Sequence, residues 1–156
     1  MAISLETLKK SSPMPPRDLI FGVAGIGKST LASLMPAPVF LATEDGLSGL
    51  PGVDHWEVRS YRDAVEAITA LHEDHPFRTL VFDTVSAFEP MLHRRLLELW
   101  GVDSIDKVGA SGGGYYKWRM EALPLWQEIL DGLDSLWINK GMRNITIQLH
   151  MGSIYN

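Results

Sequence analysis

Apolar and polar positions along the chain fall into two alternating patterns. Short, nearly continuous apolar runs occur at DLIFG (18–22), APVFLAT (37–43), HWEVRS (55–60), RTLVFD (78–83) and RNITIQLH (143–150), and each predicts a β-strand. Between them lie segments of helical character. KSTLASLM (28–35) stops before Pro36 and Pro38. YRDAVEAITALHEDH (61–75) places apolar residues at 61, 65, 68 and 71, and FEPMLHRRLLELWG (88–101) runs to a terminating Gly101. YYKWRMEALPLWQEILDGLDSLW (115–137) predicts a long helix kinked at Pro124. SSPMPP (11–16) reads as a lead-in loop, EDGLSGLPG (44–52) as turns, and DSIDKVGASGGG (103–114) as a polar, glycine-rich loop. Strands that alternate with helices and are apolar throughout predict a three-layer α/β domain with a mostly parallel central sheet. Right-handed crossovers then gather the strand ends, and any site, along one edge.

Composition narrows the partners. The 156 residues are enough for one domain with a real core, and 46% apolar against 21% charged residues excludes a disordered chain. Fourteen basic against 19 acidic residues give a net charge of −5, which argues against coating nucleic acid by bulk charge and leaves room only for a local basic patch. The absence of cysteine excludes disulfides, thiolate metal sites and cysteine nucleophiles, and fits a reducing, cytoplasmic location. MAISLETLKK lacks the apolar run of a signal peptide, and no run approaches the roughly 18 apolar residues of a membrane span, so no membrane partner is expected.

The most informative words are GVAGIGKST (22–30). They fit G-x-x-x-x-G-K-[ST] at Gly22, Gly27, Lys28 and Ser29, after a predicted strand and opening a predicted helix. Glycines let the backbone curl until successive N–H groups aim at phosphate oxygens. The segment Gly22, Val23, Ala24, Gly25, Ile26, Gly27, Lys28, Ser29 and Thr30 is therefore the predicted phosphate cradle of a nucleotide. Lys28 is expected to reach the β- and γ-phosphates, and Ser29 to ligate Mg²⁺. Thr30 suits capping or packing better than metal ligation.

A magnesium–triphosphate site also needs a carboxylate at the end of a neighbouring strand. LVFDTVS (80–86) supplies Asp83 after an apolar run, the Walker B pattern, which makes Asp83 the second expected metal ligand. Thr84 stands where a simple pair of acids would place the water-activating glutamate. FLATEDGL (40–47) offers Glu44 at the end of an adjacent strand, where it would orient a water for in-line attack; Asp45 is the lesser candidate. The last strand ends at His150, placed to donate to the γ-phosphate and sense its loss.

Together LIFGVAGIGKSTLA (19–32), VFLATEDGL (39–47), TLVFDTVSAF (79–88), GGGYYKW (112–118) and NITIQLH (144–150) resemble the RecA-like branch of P-loop ATPases, in particular phage-encoded AAA-family ATP-binding proteins that include single-strand annealing proteins. The resemblance spans most of residues 17–150. It implies Glu44 as catalytic glutamate and His150 as sensor. It also implies that RNITIQLH is a central strand between those ending at the cradle and at Asp83. By the resemblance, residues 1–16 are a lead-in and residues 17–156 a RecA-like domain that is short at its C-terminus, leaving LIFG uncovered at one edge. The implied activity is ATP hydrolysis coupled to single-stranded DNA in phage recombination or replication, by a homo-oligomer acting with phage proteins of those processes.

Other features are weighed more plainly. Tyr115, Tyr116 and Trp118, with Lys117 and Arg119, offer stacking faces and cations for single-stranded DNA, but aromatics at helical spacing more often belong to a core. HRR (93–95) reads as a solvated helix face, HEDH (72–75) as a charged helix end rather than a metal site, and the five tryptophans as core or interface anchors. Two rivals stand beside DNA-coupled hydrolysis. One is a binding module that holds nucleotide without turnover. The other is a small-molecule kinase, which needs an acceptor pocket and an arginine-rich lid, whereas HRR is the sole arginine cluster after Asp83.

Overall fold

The structure is a computed structural model that describes residues 4–109 and 117–149. Five strands, β1 (Arg17–Gly22), β2 (Pro38–Ala42), β3 (Asp54–Glu57), β4 (Thr79–Asp83) and β5 (Arg143–Leu149), form one sheet in the order β1-β5-β4-β2-β3, and every pairing is parallel. β5 pairs with β1 on one side (Phe21 opposite Gln148) and with β4 on the other (Asp83 opposite Ile147). The last strand is thus central, as the resemblance implied. The C-terminal ends of β1, β2 and β4 lie along one edge of the sheet, where the cradle, Glu44 and Asp83 follow them.

Helices α1 (Lys28–Ser33), α2 (Tyr61–Ala70), α3 (Val85–Trp100) and α4 (Lys117–Lys140) flank the sheet unequally. On one face Val39, Leu41, Leu80 and Phe82 meet α2, α3 and α4 in a large core that includes Phe88, Leu92, Ile129 and Leu136. On the other, Phe40, Val81, Ile145 and Ile147 are covered by Ala32 of α1 and by a partly buried fringe of Ile20, Met35, Leu47 and Val53. Strand alternation explains the division: β2 and β4 are buried on both faces, so they read as unbroken apolar runs.

The helix ends follow local chemistry. The Ser60 hydroxyl accepts from Asp63 N–H to start α2, and the Asp63 carboxylate accepts from Arg59 N–H in return (2.9 Å), which holds its pKa below the usual range. Thr84 caps α3, whose C-terminus closes at the expected Gly101 (φ 61°). α3 therefore begins three residues before the expected start. Pro90 lies within it, and α4 likewise runs unbroken through Pro124 as far as Lys140. α1 stops at Ser33 and α2 at Ala70, both short of expectation; His72 and His75 turn back onto the carbonyls of Ile68 and Leu71 beyond α2. HEDH therefore follows the helix rather than forming its last turn. The third strand is corrected more strongly: it runs over Asp54–Glu57, all four residues are exposed, Val58 N–H makes a last bond to the Ala42 carbonyl of β2 (2.8 Å), and 59–60 lead into α2. Ile105–Lys107 forms a short 3₁₀ turn in the expected loop. The lead-in is fastened by Trp137 Nε1 donating to the Pro15 carbonyl and by an Arg17–Asp134 ion pair.

Candidate functional site

The cradle begins where β1 ends. Gly25 (φ 78°) and Gly27 (φ 96°) occupy the left-handed region that other residues resist, and together they bend the chain back over the start of α1. The Lys28 side chain is buried and folded into the bend. Its ammonium donates to the carbonyls of Gly22 (2.9 Å) and Val23 (2.8 Å). Those carbonyls occupy donors that a phosphate would otherwise use. Val23 and Ile26 point outward, so their contribution to the cradle is through the backbone.

Opposite the cradle, β4 delivers Asp83, which is 4% exposed. The Ser29 hydroxyl donates to its Oδ2 at 2.5 Å, joining the two predicted metal ligands across 54 residues of sequence. Burial raises the Asp83 pKa, and the Ser29 hydrogen bond and the Lys28 charge oppose the rise without cancelling it. Glu44 stands at the rim of the same cleft, a space of about 340 Å³ lined also by Ala24, Gly27, Lys28, Ser29 and Thr84. Desolvation at the cleft wall raises its pKa, the charge of Asp83 raises it further, and Lys28 draws it down. Thr30 lines the cleft as well and accepts Ser33 Oγ through its carbonyl, closer to a packing role than to that of a metal ligand.

One positioning residue gave little signal in sequence. The Thr43 hydroxyl accepts from Thr84 N–H (2.7 Å) and donates to the Thr84 carbonyl (2.7 Å), while Thr43 N–H donates to the Asp83 carbonyl (2.8 Å). These three bonds stitch the end of β2 to the end of β4 and set Glu44 against Asp83. Thr84, which replaces the expected glutamate, serves as the other half of the stitch and as the cap of α3. A hydroxyl residue at a strand end was the only hint.

The predicted residues of the cradle, Asp83 and Glu44 are therefore brought together. His150, Tyr115 and Tyr116 lie outside the described residues. Trp118 meets His93 edge-on at 4.8 Å and packs against the large core, as the plainer reading expected. Arg94 and Arg95 of HRR line a surface hollow with Arg59 and Arg62, a cluster hidden in sequence because its halves lie around the start of α2 and in the middle of α3.

A parallel sheet of this order, with a glycine-bent cradle at one strand end and an acid at the next strand but one, defines a P-loop domain of RecA-like fold. The chain belongs to the AAA domain family, whose model matches residues 14–147. It is 28% identical over 115 residues to the SPbeta prophage-derived uncharacterized protein YorG of Bacillus subtilis (strain 168), covering 70% of this chain and 35% of that one. Its fold is similar to that in the crystal structure of the RadB recombinase, with a TM-score of 0.54 at 15% identity over 92% of this chain and 66% of that one. The chain thus spans about a third of the curated relative and about two thirds of the structural neighbour. Among the described residues no helix is long and apolar enough to cross a membrane.

Proposed function

We propose that residues 17–156, behind a lead-in of residues 1–16, bind ATP with Mg²⁺ and hydrolyse it, and that hydrolysis is coupled to single-stranded DNA in phage-type recombination or replication. The observation that carries this reading is the 2.5 Å contact of Ser29 with Asp83 at the wall of a cleft that also holds Lys28 and Glu44. A hydroxyl and a carboxylate are hard oxygen donors, the set that Mg²⁺ favours, so the residues fit the ion. Ser29 and Asp83 would hold it, and when bound it supplies charge neutralisation at the phosphates.

The protein's own groups do the rest. On nucleotide binding Lys28 exchanges the Gly22 and Val23 carbonyls for phosphate oxygens, and the loop amides turn inward. Glu44, made more basic by desolvation and by Asp83, accepts a proton from the attacking water, and Thr43 keeps it in register. His150 is assigned the sensor role on the resemblance alone. ATP rather than GTP follows from the resemblance and from the lack of an N-K-x-D word. That the structural neighbour is a recombinase and the relative is prophage-derived supports the DNA-coupled part, with a cytoplasmic homo-oligomer and phage recombination or replication proteins as partners.

Phosphate release from Mg²⁺–ATP, with and without single-stranded DNA, tests the reading. Wild-type release should rise with DNA. Lys28→Ala should abolish both nucleotide binding and release, and Glu44→Gln should keep binding and lose roughly 10²–10⁴-fold in turnover. Tight binding without release in the wild type would establish the non-catalytic module instead. Phosphate appearing on an added nucleoside would establish a kinase.

A further inference from the structure

We infer that the arginines around the start of α2 and on α3 form a docking surface for the phosphodiester backbone of single-stranded nucleic acid, beside the Glu44 cleft. The inference rests on the DNA-coupled reading and gives it a location. Arg59 and Arg62, at the start of α2, share one shallow surface with Arg94 and Arg95 from the middle of α3, and Glu98 is its only acidic lining residue. In a chain of net charge −5 this is a concentrated positive patch.

Two of the four guanidiniums are spoken for. Arg59 donates through Nε (3.2 Å) and Nη2 (2.5 Å) to Glu57, and Arg95 Nη1 donates to Glu98 (3.3 Å). Arg62 and Arg94 are exposed and form neither a hydrogen bond nor an ion pair with another described residue. Glu98 lies one helical turn from Arg94, yet it is Arg95 that takes it. Unpaired planar forks beside paired ones suit the bidentate recognition of phosphate oxygens.

The shape favours a polymer over a small ligand. Three of the four groups are exposed, and they line a half-open hollow at the surface rather than a closed cavity. That surface runs into a hollow of about 500 Å³ that Arg59 and Arg94 share with Glu44, Asp45 and His55. Glu44 lines both this hollow and the nucleotide cleft, so a strand lying on the arginines would end one side chain from the reacting phosphate. Arg59, held charged by Glu57 first, also lies in the field of Asp45, the neighbour of Glu44. A backbone phosphate that draws Arg59 from Glu57 would change the charge at the mouth of the cleft.

Fluorescence anisotropy of a labelled oligothymidylate, titrated at several salt concentrations, tests this with an Arg62→Ala/Arg94→Ala double variant. Both side chains are exposed and break no internal pair when removed. The variant should bind the oligonucleotide at least about tenfold more weakly, with a salt slope lower by about 1.4 for two lost contacts, while its affinity for a fluorescent ATP analogue stays at the wild-type value. Arg62→Lys/Arg94→Lys should retain most of the slope. Unchanged oligonucleotide affinity and slope in the alanine variant would overturn the docking surface and leave DNA coupling standing. Wild-type protein that binds no oligonucleotide even at low salt would sink both. Displacement of the oligonucleotide by thymidine monophosphate at equal phosphate concentration would also overturn the polymer assignment and point to a small phosphorylated ligand.

Discussion

β4 and β1 carry the two halves of the candidate site, and they are opposites. Every residue of β4 is buried, and Asp83 emerges from it stitched to β2 through Thr43. β1 lies at the edge of the sheet, with no residue fully buried, and exposes Leu19 (61%) and Phe21 (69%). The acid half of the site is held by the fold, whereas the phosphate half hangs from an edge strand with no fully buried residue. One half is built to be rigid, and the other is built where ligand contacts contribute a larger share of the order.

The largest way to break the comparison is to delete the same side chain on each strand. Phe82 of β4 is 2% exposed and meets Phe88 edge-on at 5.0 Å. Phe82→Ala should cost about 3–5 kcal/mol of unfolding free energy by denaturant titration. Phe21→Ala should stay within about 0.5 kcal/mol, the range of a surface change. Equal losses would show that β1 is covered in solution, for instance by a second copy.

The stitch gives a smaller effect and sharpens the comparison. Thr43→Val keeps the shape of the side chain but leaves Thr84 N–H without its acceptor, at a cost of about 1–3 kcal/mol. Turnover should fall, because Glu44 and Asp83 lose their common anchor, while nucleotide affinity, set mainly by the cradle, should hold. A matched fall in affinity would mean that the two halves are coupled more tightly than their strands suggest.

How much of this was legible in the sequence follows from the same contrast. The cradle and Asp83 were legible because their chemistry demands particular residues in an unbroken word, and β2 and β4 because burial on both faces makes a strand apolar throughout. β3 was overextended because Val58, which makes a last bond to the Ala42 carbonyl (2.8 Å) and buries its side chain in the core, reads as strand although Arg59 and Ser60 already lead into α2. The long helix around Pro124 was legible despite the proline, and α4 continues through it between the buried Ala122 and Leu125. The role of Thr43 and the arginine surface were illegible for a different reason. Each is made by residues from separate elements whose meeting only the sheet order determines.

The smallest expected effect concerns Asp83 itself, and its sign is opposite to that of most substitutions at a buried polar site. Burial raises the Asp83 pKa above its unfolded value, so the folded state favours the protonated acid. The associated stabilisation is complete below the ordinary carboxylate pKa and is lost as pH rises through the folded value. At neutral pH the metal-free protein therefore carries a buried charge that the Ser29 hydrogen bond and Lys28 offset only in part. Asp83→Asn removes that charge and still accepts from Ser29. With a chelator present, its melting temperature should lie slightly above the wild type at neutral pH and converge with it in acid, while Mg²⁺-dependent phosphate release disappears. A variant less stable than the wild type at neutral pH would mean that Lys28 and Ser29 outweigh burial, and that this carboxylate supports the fold as well as the metal.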